Sequence, residues 1–137
     1  MSEKSRVLFV CVGNNARSPM AEALLRHIDS EHFEAFSAGI EPIELHPRTL
    51  ATLEHAGIPT DGLRSKSITE FAGQSFAYLI DLCDKSAHEE LKLPHSAEVL
   101  VWNTPNPLES EHPDAFRHTL QEIHDRIRMF TMVKNRA

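Results

Sequence analysis

The chain has 137 residues, with 14 lysines and arginines against 20 aspartates and glutamates and a formal net charge of -6. That length suits one domain, residues 1–137, with a single sizeable core. The acidic balance argues against a nucleic-acid partner, which calls for a basic face, and no apolar run is long enough to span a membrane. The short apolar run after Met1 to Arg6 lacks a small-residue cleavage site and does not read as a signal peptide. Two cysteines are too few for a disulfide scaffold, so the expected setting is a reducing cytoplasm.

The first predicted element is a strand from Arg6 to Val10, an unbroken valine-rich run of the kind buried on both faces of a parallel sheet. Cys11 stands at its end, and Val12 to Ala16 form a short loop in which Gly13, Asn14 and Asn15 tolerate the positive φ that turns successive amides inward. Ser18 is expected as the N-cap of the following helix, with Pro19 in its first turn. The free amides of such a helix end attract an anion. A thiol at the rim of this cradle, beside the Arg17 guanidinium, is in surroundings that favour the thiolate. The same donors would clamp a tetrahedral oxyanion and stabilise charge as its central atom is attacked. The local chemistry is therefore a nucleophilic Cys11 facing a phosphate-like group held by residues 12–17.

Further along, Met20, Ala21, Leu24, Leu25 and Ile28 follow a helical stripe. Phe33 to Ala38 reads as a second strand ended by Gly39. Pro47 opens a short helix carrying Leu50, Ala51, Leu53 and Ala56, with Gly57 as terminator. A helical turn at Ile68 to Gly73 precedes a third strand, Ala77 to Leu82. Ser86 caps a helical segment to about Leu91, and Glu98 to Trp102 is the fourth strand. Phe116, Leu120, Ile123, Ile127 and Phe130 mark a long closing helix. This alternation predicts an α/β fold, a four-stranded parallel sheet with helices on both faces. Ligands of such sheets bind at the carboxyl ends of the strands, where Cys11, Ser37, Cys83 and the segment after Trp102 all fall.

Nine histidines are scattered without the three- or four-residue spacing of a helical metal face, so no metal or other cofactor is expected. Cys83 has two readings. It could attack a Cys11 adduct and release it as a disulfide after a loop movement, or it could be a packed thiol. In the loop Asn103 to Glu111, Asn106 is an amide and cannot supply the proton that a leaving oxygen normally needs. Glu109, Glu111 and Asp114 are the nearby acids.

The segment Cys-Val-Gly-Asn-Asn-Ala-Arg-Ser-Pro-Met-Ala-Glu from Cys11, with Ser37-Ala38-Gly39, His46-Pro47, Gly57-Ile58 and Arg64-Ser65-Lys66, resembles the low-molecular-weight protein tyrosine phosphatases and the arsenate reductases built on the same fold. The resemblance implies that Cys11 is the nucleophile, that Arg17 binds the oxyanion, that Ser18 assists the thiolate and that Asn14 braces the loop. It also implies a four-stranded parallel sheet with helices on both sides. Asn106-Pro107 stands where the family has Asp-Pro, and no aromatic residue follows to grip a phosphotyrosine ring. Cys83 resembles the second redox cysteine of the thioredoxin-coupled reductases. Their third cysteine would fall at Glu90, and the cysteine many family phosphatases carry before the arginine is Ala16.

These features look more like an arsenate reductase with a shortened thiol relay. Cys11 would attack arsenate, and Cys83 or an external thiol would release arsenite, with glutaredoxin, thioredoxin or a small thiol as reductant. Arsenate exchanges its oxygen ligands more readily than a phosphate ester, so Asn106 harms this chemistry less than phosphatase chemistry. The alternatives are a phosphomonoesterase working through a phosphocysteine and a non-catalytic oxyanion-binding protein.

Overall fold

A computed structural model describes residues 4–83 and 94–134; the expected helix from Ser86 to Leu91, and Glu90 with it, lie outside the described residues. Four parallel strands, β1 (Ser5–Cys11), β2 (Phe33–Gly39), β3 (Ser75–Asp81) and β4 (His95–Val101), form one sheet in the order β2-β1-β3-β4. The valine-rich run takes the inner position because it is apolar on both faces: Val7, Leu8, Phe9 and Val10 are completely buried. From β1 the chain crosses to β2 on one side and then to β3 on the other. The order therefore reverses between β1 and β3, which places a crevice at their carboxyl ends.

The helices are α1 (Arg17–Asp29), α2 (Pro47–His55) and α3 (Ala115–Lys134). On one face of the sheet, Val7, Phe9, Ile80 and Leu82 pack against Met20, Leu24 and Leu25 of α1 and against Phe116, Leu120, Ile123, Ile127 and Phe130 of α3. Leu8, Val10 and Leu79 on the other face meet Phe36, Phe76 and a 3-10 helix, Ile68–Phe71, which contributes Ile68 and Phe71. Helical segments thus lie on both faces. Each fully buried Leu, Ile or Phe side chain contributes about 1.5–3 kcal/mol through the area it removes from water.

Three expectations need correction. β3 and β4 both start earlier than their apolar content suggests and end at Asp81 and Val101. Their limits are set by each other, since the ladder runs from Ser75 opposite His95 to Asp81 opposite Val101. As the edge strand, β4 exposes Val99 and Val101, so composition does not mark its start. In α2 the buried residues are Thr49 and Leu53, while Ala51 and Ala56 are exposed. The helix does end at Gly57 (φ 77°), with Ile58 N donating to Leu53 O and Gly57 N to Glu54 O, the paired bonds of a Schellman motif. Finally, Ser18 is not an N-cap. α1 begins at Arg17, so the N-cap is Ala16, whose methyl has no acceptor, and Ser18 lies inside the helix with its hydroxyl beside Cys11.

Gly39 ends β2 directly beside the loop that follows β1. A Cβ there would sit 2.8 Å from Asn14 Cβ, 2.9 Å from Asn14 N and 2.9 Å from Val12 O, two of them backbone atoms that cannot swing away. Gly39→Ala is expected to cost about 1–3 kcal/mol by overpacking and to remove most of the rise in melting temperature that phosphate gives the parent protein. Thermal melts with and without phosphate check this; an unchanged phosphate-induced shift contradicts it.

Candidate active site

The loop after β1 is held by its carbonyls. Val12 O accepts from Glu41 N (2.9 Å), Gly13 O from Ile43 N (3.0 Å) and Ser65 Oγ (3.2 Å), and Asn15 O from His46 N (3.1 Å) and Thr49 Oγ1 (2.7 Å). Ala16 O takes the first helical bond, from Met20 N. With these oxygens engaged on the outside, the amides from Gly13 to Ser18 donate to no protein acceptor among the described residues. Together with the uncapped start of α1 they form a nest of donors suited to an anion.

Asn14 fixes the direction of the hydrogen bonds inside this nest. Its backbone is left-handed (φ 49°), a conformation asparagine tolerates. Lys66 N, which can only donate, lies 2.7 Å from one end of the Asn14 amide, so that end is Oδ1. Nδ2 then donates to Ser18 Oγ (2.8 Å) and Ser37 Oγ (3.0 Å). Ser37 in turn donates to Glu22 Oε1 (2.5 Å). Ser18 Oγ, accepting from Asn14, lies 2.8 Å from Cys11 Sγ; either atom can donate while the sulfur is a thiol, and the hydroxyl is the donor toward a thiolate. The sulfur lies at the buried foot of the nest, 1% exposed, with the Ser18 hydroxyl beside it.

Behind this chain the Glu22 carboxylate is buried between Arg26 (2.6 Å) and Lys66 Nζ (3.5 Å). Burial lowers the Lys66 ammonium from its ordinary value, and Glu22 opposes that shift. Arg64, next in the same segment, pairs with the Glu70 carboxylate, and their hydrogen bond holds Glu70 below its ordinary value.

Arg17 is also buried. Its Nη1 donates to Leu82 O (3.2 Å) and Thr104 O (2.9 Å), tying the loop to the ends of β3 and β4. Nη2 and Nε make no hydrogen bond to protein among the described residues, so one edge of the guanidinium remains for a ligand. Cys83 lies just past β3 on the same edge of the sheet. Its N (3.0 Å) and Sγ (3.2 Å) both donate to Asp81 Oδ1. Burial pushes the Cys83 thiol well above its ordinary value and the Asp81 carboxylate pushes it further. Arg17 acts in the opposite sense, and Cys11 is close enough to contribute to the rise.

Asn106 has a structural use: its Oδ1 accepts from Leu108 N (3.0 Å) and caps a 3-10 helix at Pro107–Glu109. Glu109 and Glu111 are exposed, and Asp114 pairs with Arg117 at 3.1 Å. Among the described residues no three His, Cys, Asp or Glu side chains converge as metal ligands. The structure thus brings together Cys11, the loop, Arg17, Ser18 and the Cys83 segment. It adds Lys66, Thr49 and Asp81, whose parts sequence reasoning missed. Asp81 did leave a signal, as a carboxylate inside the apolar run Tyr78 to Cys83.

The raised Cys83 thiol has a consequence for stability. Below about pH 9 the sulfur is protonated in both folded and unfolded chains and adds no pH dependence. Above that, the unfolded chain releases the proton first, so stability falls as pH rises. Denaturant melts between pH 8 and 10.5 should show Cys83→Ala losing less stability per pH unit than the parent, by up to about 1.4 kcal/mol. Parallel slopes contradict the buried, carboxylate-facing thiol.

The arsenate reductase of Halalkalibacterium halodurans is 28% identical over 132 residues, spanning 93% of this chain and 95% of that protein. A glutaredoxin arsenate reductase of Synechocystis is 33% identical over 78 residues, 57% of this chain and 60% of that protein. A solved arsenate reductase in the phosphate binding state superposes with a TM-score of 0.82 at 25% identity, covering 92% of this chain and 95% of its own. The sequence matches the description of the low molecular weight phosphotyrosine protein phosphatases from residue 6 to residue 136, and the chain belongs to that family.

Proposed function

We propose that this protein is a thiol-dependent arsenate reductase, working as one domain in the cytoplasm, with Cys11 as its nucleophile. The observation that carries the reading is the Cys11 sulfur, 2.8 Å from the Ser18 hydroxyl, at the foot of a loop whose Val12, Gly13 and Asn15 carbonyls are engaged outward. A relative of this activity across nearly the whole chain supports it. The amides of Val12, Gly13, Asn14, Asn15, Ala16 and Arg17 and the open edge of the Arg17 guanidinium hold arsenate oxygens. Cys11 Sγ attacks arsenic, an As–O bond breaks and the oxygen leaves as water. A thiol then attacks Cys11 Sγ; the S–As electron pair stays on arsenic, which departs as arsenite, and a disulfide remains. Cys83 is the internal candidate for that thiol, and glutaredoxin, thioredoxin or a small thiol closes the cycle.

Asn106 fits this reading. An amide serving as a helix cap gives no proton, and arsenate depends on such a proton less than a phosphate ester does. The same cradle accepts a phosphoryl group, so phosphatase action is the competing outcome. Asn106→Asp should raise hydrolysis of phenyl phosphate far more than of p-nitrophenyl phosphate, whose leaving group needs little help; equal effects contradict the missing-acid argument.

The direct test is a single turnover of fully reduced protein with arsenate and no added reductant. The expected result is close to one arsenite per chain and a mass loss of two hydrogens mapped to Cys11–Cys83, both abolished in Cys11→Ser. Arsenite formed only with glutaredoxin or thioredoxin present assigns the second step to an external thiol. No arsenite under any reductant, with a phosphocysteine trapped from a phosphomonoester, overturns the reading in favour of a phosphatase.

A further inference from the structure

Cys83 presents a chemical difficulty. A resolving thiol has to become a thiolate, yet this one is buried 4% exposed and hydrogen-bonded to a carboxylate that disfavours its anion. Among the described residues, the charged and titratable groups shown to act on its sulfur include Asp81, Arg17 and Cys11. Asp81 is a proton acceptor already in contact with the sulfur, at 3.2 Å. Asp81 is itself fixed. It ends β3 opposite Val101, its carbonyl accepts from Trp102 N (2.7 Å), and its Oδ1 also takes Cys83 N. The carboxylate and the thiol thus share one backbone turn, in which the intervening Leu82 carbonyl accepts from Arg17.

We propose that Asp81 is the catalytic base for Cys83, holding the proton on its sulfur in the resting protein and receiving it when Cys83 attacks the Cys11 adduct. The inference rests on the reading that Cys83 is the resolving thiol. In the step, the Cys83 S–H proton passes to Asp81 Oδ1 and the sulfur's electron pair forms the S–S bond to Cys11 Sγ. The Cys11 S–As bond breaks with both electrons left on arsenic. Two sulfurs are oxidised by one electron each and arsenic is reduced by two. The proton on Asp81 is then lost to the departing arsenite or to water. The arrangement keeps Cys83 from reacting before an adduct exists, since proton transfer and attack are coupled.

The test follows disulfide formation by quenched intact-mass time courses in two arms. In one, arsenate forms the Cys11 adduct. In the other, saturating hydrogen peroxide converts Cys11 to a sulfenic acid, and Cys83 attack expels water, so the same proton transfer is read without arsenate. In Asp81→Asn, the Cys11–Cys83 step should slow at least tenfold at pH 7 in both arms. Its rate should then climb about tenfold per pH unit toward alkaline pH, as hydroxide replaces the lost base. Alkylation of Cys11 by iodoacetamide should stay within twofold of the parent, and Asp81→Ser, a smaller replacement, should reproduce the loss. A carboxylate that only repels the thiolate gives the opposite sign, so a variant rate at or above the parent's overturns the proposal. Parent protein that forms the disulfide with neither oxidant overturns it as well. Disulfide formation with peroxide but not with arsenate, with the Asp81 effect intact, keeps the proposal and instead removes arsenate as substrate.

Discussion

The site depends on one constraint: the carbonyls of Val12, Gly13 and Asn15 in the loop after β1 are bonded outward, to the segment 41–49 and to Ser65. A peptide plane whose oxygen is fixed on one side presents its N–H to the other. The anion nest is thus built before any ligand arrives, which is the condition for electrostatic stabilisation without reorganisation. Asn14 performs the matching task for the side chains. One backbone donor, Lys66 N, sets the amide's orientation, and the orientation then makes the Ser18 and Ser37 hydroxyls accept from Nδ2. Because Asn14 cannot accept at that end, the Ser18 hydroxyl proton is available to a Cys11 thiolate.

Fold and chemistry meet at the sheet's reversal point. β1 ends in Cys11, β3 continues into Cys83, and Arg17 bridges the ends of β3 and β4 through two carbonyls. Several features of this corner are locally unfavourable. α1 has no side-chain cap, Asn14 is left-handed, Glu22 and Asp81 are buried, and burial disfavours the Lys66 ammonium. The apolar packing of β1, α1 and α3 offsets these costs.

Much of this was legible in the sequence. Valine-rich β1, the helical stripe of α3 and the Gly57 terminator follow from periodicity and backbone freedom, which local sequence encodes. The placement of Cys11, Arg17 and the loop between a strand and a helix carried the anion site. Other features depend on partners far along the chain. The limits of β4 are set by its register with β3 and its exposed edge hides them. Ser18 has the composition of a cap, but a thiol 2.8 Å away and the Asn14 amide compete for its hydroxyl. Lys66 and Asn14 are 52 residues apart in sequence, and no local pattern joins them. Asp81 was visible as a misplaced carboxylate, but its contact with Cys83 needs the turn past β3 to be seen.

The most direct test of the preformed nest is a two-dimensional amide NMR titration of the reduced protein with phosphate, then with arsenate in Cys11→Ser. The account predicts large downfield shifts of the amide protons from Gly13 to Ser18, with the Lys66 amide, already bonded to Asn14 Oδ1, nearly unmoved. Shifts concentrated elsewhere, or a loop whose amides stay unchanged at saturating anion, would contradict it.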